Sequence, residues 1–125
     1  MFRKVDCVLL RIPDLEEALC FYRDGLGLKL AWRRGSSSAG LTMRDSGTEL
    51  VLVQESGSPE TDLLVDSVDS ACGTFRRAGG TVVKPPFDIP IGKCALLRDP
   101  WGNPLVILDM SKGPLRTDSH GNVIE

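Results

Sequence analysis

The chain has 125 residues, of which 42% are hydrophobic and 26% charged, and a formal net charge of −2. A domain of this size buries roughly two-thirds of its unfolded surface, so one sizeable core is expected. The balance excludes collagen-like, disordered and membrane classes. The slight acidity argues against a nucleic-acid partner, because polyanion binding needs a basic face. The basic pairs Arg33-Arg34 and Arg76-Arg77 read as solvated surface. No apolar run approaches the ~18 residues of a membrane span, and MFRKVDCVLL is a poor signal peptide, so a cytoplasmic location is expected. Cys7, Cys20, Cys72 and Cys94 form no CxxC or CxxxC pair, which suggests neither a zinc knuckle nor a redox dithiol but reduced thiols.

In chain order, VDCVLLRI predicts a strand over 6–12 with one buried face, stopped by Pro13. PDLEEALCFYRDGLGL follows with helical spacing at Leu15, Ala18, Leu19 and Tyr22. Asp14 is placed to cap this helix, Glu16 and Glu17 suit its first turn, and Gly25 and Gly27 end it. Three strands are predicted next, LKLAWRR, the stretch around LTMRD, and TELVLVQE, separated by RGSSSAG and DSG. The order is βαβββ.

Sliding the second half over the first by 53 residues lays Ile12 on Val65, Leu15 on Val68, Ala18 on Ala71 and Tyr22 on Phe75. The second helix ends in AGG, and TVVKP, CALLRD, the turn PWGN and PLVILDM complete a second βαβββ. At the far end GTELVL lies over GNPLVI with an offset of 55. This duplication is the main organisational signal. It divides residues 1–110 into module one (about 4–56) and module two (about 57–110). Residues 111–125 are a polar C-terminal tail outside the repeat, for which disorder is the plainest expectation and an arm to a partner subunit the other.

VDCVLLRIPDLEEALCFYRDGLGLKL together with RDPWGNPLVILD resembles the vicinal oxygen chelate superfamily, the glyoxalase, bleomycin-resistance and extradiol-dioxygenase proteins, over residues 4–110. The resemblance implies an α+β fold in which two βαβββ modules form a curved, incompletely closed eight-stranded sheet around a cleft, usually as a homodimer. In the superfamily's enzymes each module offers a histidine or glutamate on its first and last strands, because a catalytic divalent ion needs three or four converging donors. Here those places hold Cys7, Glu60, Val51 and Val106. The only histidine, His120, lies in the tail.

Two apolar positions and no histidine in the repeat turn the expected metal seat into an apolar floor. That suits a metal-free small-molecule binder, resembling the branch that sequesters drugs such as bleomycin. The alternative is a metal-dependent lyase, isomerase or dioxygenase using Cys7 and Glu60 as non-standard ligands; against it, a cysteine of this kind is more often simply buried. A third reading is a purely structural role with the cleft filled by side chains. Candidate ligand contacts are Cys7, Trp32, Met43, Val51, Glu60, Phe87, Trp101 and Val106. Trp32 is either a stacking wall or packing, Trp101 a turn aromatic facing solvent, an interface or ligand, and Met43 a mouth or gap-filling residue. KPPFDIPIGK, residues 84–93, is expected to be a rigid loop with Phe87 and Ile89 facing inward. No Ser-His-Asp set and no phosphate-binding glycine motif is present, so no catalytic residue is assigned. No cofactor is expected outside the metal-dependent alternative, and the expected partners are a small molecule and a second copy, with neither nucleic acid nor membrane.

Overall fold

The computed structural model describes residues 1–124. Its elements are β1 (Lys4–Ile12), α1 (Leu15–Leu19), a π-helical turn (Cys20–Gly25), β2 (Lys29–Arg34), β3 (Ser38–Met43), β4 (Ser46–Gln54), β5 (Glu60–Leu64), α2 (Val68–Arg77), β6 (Thr81–Ile89), β7 (Gly92–Arg98) and β8 (Pro104–Leu108). This is βαβββ twice, the α+β architecture expected from the repeat. The chain divides into two compact units, residues 6–60 with those from 116 on, and residues 1–5 with 61–115.

In the first unit the strands run in the order β2-β3-β4-β1, with β4 parallel to β1 and antiparallel to β3. Alternation along each strand sends one side-chain set toward α1. Leu15, Ala18 and Leu19 of the helix pack with Ala39, Leu41 and Leu52 of the strands, and Leu10, Leu30 and Tyr22 close round them. Each fully buried leucine contributes about 1.5–3 kcal/mol. Asp14 caps α1 by accepting the Glu17 N–H at 2.9 Å, and the Gln54 side chain accepts the Leu15 N–H at 2.9 Å, tying the helix start to the end of β4. The expected single α-helix widens after one turn. Leu26 N–H reaches back to the Phe21 carbonyl at 3.0 Å, and the extra residue per turn leaves Phe21 exposed while Tyr22 joins the core.

The second unit repeats the plan. The strand order is β5-β8-β7-β6, β5 is parallel to β8 and β7 is antiparallel to both its neighbours. Val65, Val68, Ala71, Cys72, Ala95, Leu97 and Ile107 form its core. The two offsets read from the sequence recur in the ladders. Leu9 pairs with Val51 and Asp62 with Val106, so first strands correspond at 53 and last strands at 55.

Two expectations are corrected. Residues 84–89 are not a loop but the end of strand β6, which pairs Phe87 with Cys94 and Asp88 with Lys93. Pro85 and Pro86 are tolerated there because β6 is an edge strand with one partner, and the register shifts between Lys84 and Phe87. The tail is also ordered. Gly121 accepts the Arg33 N–H at 2.8 Å, Val123 N–H donates to the Arg33 carbonyl at 2.8 Å, and Thr117 pairs with Val123. Its turn, DSHGN, repeats the DPWGN turn between β7 and β8. Each aspartate, Asp99 or Asp118, accepts two backbone N–H groups and the side-chain amide of the asparagine four residues on, with Gly102 or Gly121 at positive φ.

Candidate functional site

Three of the module-one candidates, Cys7, Trp32 and Val51, gather on the face of its strands that looks away from α1. Since Leu10, Leu50 and Leu52 point to the helix, alternation puts Cys7, Leu9 and Arg11 of β1 and Glu49, Val51 and Val53 of β4 on the other side. Cys7 is 5% and Val51 7% exposed. Trp32 reaches this face through a β-bulge. Leu30 pairs with Leu41 in the core, the register shifts, and Trp32 pairs with Gly40, so two residues that simple alternation would put on one face point to opposite ones. The indole lies against Gly40, where an added Cβ would overlap its Nε1 and Cε2. Trp32 Nε1 donates to Glu49 Oε1 at 2.9 Å, and Glu49 stands beside Cys7 in the ladder.

Module two presents a corresponding face. Val106 pairs with Asp62 and Leu96, and Phe87 with Cys94, which pairs in turn with Leu108. The Lys84 ammonium sits 4.1 Å from the centre of the Phe87 ring, a cation–π contact that covers one side of that ring. Asp62 is buried.

Two acidic residues were missed by the sequence reading. Glu49 and Asp62 each lie two residues from an expected metal position, Val51 and Glu60, and therefore on the same face. The period-2 alternation that located those positions was the available signal. The remaining candidates stand apart. Trp101 is 84% exposed at the tip of the β7–β8 turn, and Met43 lies at the β3–β4 turn beside a surface recess.

The family model of the Glyoxalase/Bleomycin resistance protein/Dioxygenase superfamily matches residues 4–107. The chain belongs to this family, and its fold is that of solved members. Methylmalonyl-CoA epimerase from Mycobacterium tuberculosis is similar at a TM-score of 0.69 and 17% identity, covering 88% of this chain and 89% of that one. The Mn(II)-bound glyoxalase from Novosphingobium aromaticivorans gives 0.66 and 17%, covering 88% of this chain and 38% of that one. The 2,3-dioxygenase LapB from Pseudomonas sp. KL28 gives 0.63 and 20%, with 85% and 42% covered. At these identities the likeness is one of fold. No curated protein matches the chain significantly.

The residues at the four family positions do not fit a divalent ion. Val51 and Val106 offer no donor atom. Glu60 Oε1 faces the Arg11 guanidinium, with Nη2 at 3.4 Å, while Arg11 also donates to Glu55 Oε1 at 2.8 Å and the Ser58 carbonyl at 2.9 Å. A cation placed on Glu60 would compete with that guanidinium. Among the described residues no group of three or more His, Cys, Asp or Glu side chains is arranged to hold a metal, and three is the usual minimum for a catalytic centre.

Proposed function

We propose that the protein binds a small planar molecule on the module-one face and does so without a metal, as a sequestering member of its family close to the bleomycin-resistance branch. The observation that carries this reading is the indole of Trp32 laid across Gly40 and tied to Glu49, beside Val51 where the family's enzymes have a donor. An aromatic wall next to an aliphatic floor and one carboxylate is the composition of a ligand pocket, mostly apolar with a few placed polar groups. Homodimer formation and a cytoplasmic location belong to the same proposal.

The test is metal content and ligand binding on one preparation. Tag-free protein purified without chelators is offered zinc, iron, manganese and nickel, then titrated with planar heteroaromatics while tryptophan emission is followed in a Trp101→Phe background. The expected result is substoichiometric metal and quenching of Trp32 that Glu49→Gln weakens. Near-stoichiometric metal released by Cys7→Ser would instead establish the metal-dependent lyase, isomerase or dioxygenase reading, which the likeness to an Mn(II)-bound glyoxalase and a dioxygenase favours.

A further inference from the structure

A surface concavity lies wholly within the first unit, where the chain leaves the π-helical turn and where β3 turns into β4. It is a recess of about 840 Å³ lined by Leu26, Leu28, Lys29, Thr42, Met43 and Arg44 among others, within the usual size range of small-molecule sites. One wall is fixed by backbone hydrogen bonds. Leu26, Gly27 and Leu28 N–H groups donate to the carbonyls of Phe21, Arg23 and Tyr22 at 3.0–3.2 Å, and Gly27 takes a φ of 82° to bring the chain round. The opposite wall is the β3–β4 turn, closed by the Met43–Ser46 pair. Between them Lys29 pairs with Thr42, whose Oγ1 donates to the Lys29 carbonyl at 3.4 Å.

Two features of the lining point to a ligand of one kind. Leu26 is 59% and Met43 37% exposed, so an apolar body placed there removes hydrocarbon from water on both sides. Of the two cations, Arg44 is held by Asp45 at 3.3 Å, whereas the Lys29 ammonium has no ion-pair or hydrogen-bond partner among the described residues. The lining therefore carries one uncompensated positive charge beside two exposed apolar side chains.

We propose that this recess binds an amphipathic monocarboxylate, with the aliphatic or aryl body against Leu26, Leu28 and Met43 and the carboxylate on Lys29. The inference is independent of the binding reading for the Trp32 face.

The experiment is a titration of 15N-labelled full-length protein with octanoate, followed by amide chemical shifts, with octyltrimethylammonium as the charge-reversed control. Saturable shifts are expected at residues 26–29 and 42–46, with an affinity about tenfold weaker in Lys29→Gln for one lost charge-assisted hydrogen bond, and weaker again in Met43→Ser. The spectrum of each variant reports its own folding. Equal binding of the ammonium compound, an unchanged affinity in Lys29→Gln, or shifts confined to other residues would each overturn the proposal.

Discussion

At the scale of single residues, Gly40 and Trp32 act as a pair. Gly40 has an ordinary backbone conformation, so what requires glycine is the indole against its Cα. Gly40→Ala must push a rigid bicyclic ring off its strand and its Glu49 hydrogen bond, and overpacking of this kind costs about 1–3 kcal/mol. The double variant with Trp32→Ala is expected to recover most of the Gly40 part of that loss. A denaturation double-mutant cycle reads this as a coupling energy, and strict additivity would mean that the contact is energetically empty. Asp109 sets a different balance. Burial raises its pKa, but the Val68 N–H, the Ser111 hydroxyl, the Lys93 N–H and the Ser111 N–H together leave it below the ordinary carboxylate value. Its Oδ2 accepts from Val68 at 2.8 Å, at the start of α2, and its Oδ1 from Lys93 at 2.9 Å. A folded pKa below the unfolded one means that the unfolded chain binds the proton more tightly. The stabilisation is therefore complete above the unfolded value of ~3.9 and is lost as pH falls through the folded value. Asp109→Asn should lose about 1–3 kcal/mol at pH 7, and that loss should shrink in urea titrations carried below pH ~4. A deficit equal at neutral and acid pH would show that the charge is irrelevant.

At the scale of elements, what was legible followed from periodicity and what was hidden followed from departures from it. The cap at Asp14, the helical spacing and both repeat offsets are local patterns, and the start of α1 and the ladders reproduce them. The bulge after Leu30 is not such a pattern. It depends on β3 placing Gly40 opposite, and it converts Trp32 from a residue ambiguous between core and face into a face residue. The π-helical turn, which exposes Phe21, likewise leaves no mark in the apolar spacing, and Glu49 and Asp62 were overlooked because the family pattern drew attention to the positions two residues away. In the tail, polarity suggested disorder because few apolar atoms are available to bury. Its order comes instead from backbone pairing with the outer edge of β2 and from a D-x-x-G-N turn already used between β7 and β8. Removing residues 116–125 should therefore cost little stability, under ~2 kcal/mol for two backbone hydrogen bonds, while exposing an unpaired edge. Hydrogen exchange at the Arg33 amide is expected to accelerate while that of Leu41 does not. An Arg33 amide as protected as before would show that the tail does not hold this edge.

At the scale of the whole molecule, duplication supplies the architecture and divergence between the copies supplies what is particular to this protein. Corresponding positions on the ladders keep the core, as Leu10–Leu52 and Leu63–Ile107 do, but the faces away from the helices differ. The clearest case is Arg11, whose counterpart at the offset of 53 is Leu64. Leu64 is simply buried. Arg11 instead spends three donors on Glu55, Ser58 and Glu60, the segment that carries the chain from the first module to the second. Its aliphatic stem also packs on Gly57, where an added Cβ would come within 2.8 Å of Cδ, at a φ of 141° that only glycine takes readily. The guanidinium is mostly shielded, its side chain 18% exposed, so salt should weaken it less than an open surface pair. Arg11→Met leaves two carboxylates and a carbonyl without their common donor. The expected outcome is a loss of about 1–3 kcal/mol and, since 1.4 kcal/mol is a factor of ten in an equilibrium constant, faster limited proteolysis within residues 55–60 by roughly that factor. Arg11→Lys keeps the charge but replaces a planar fork of five N–H groups with one compact ammonium. It should behave closer to Arg11→Met than to the unaltered chain. If the lysine variant resists cleavage as well as the original, charge alone holds the inter-module segment, and the fork geometry drops out of the account.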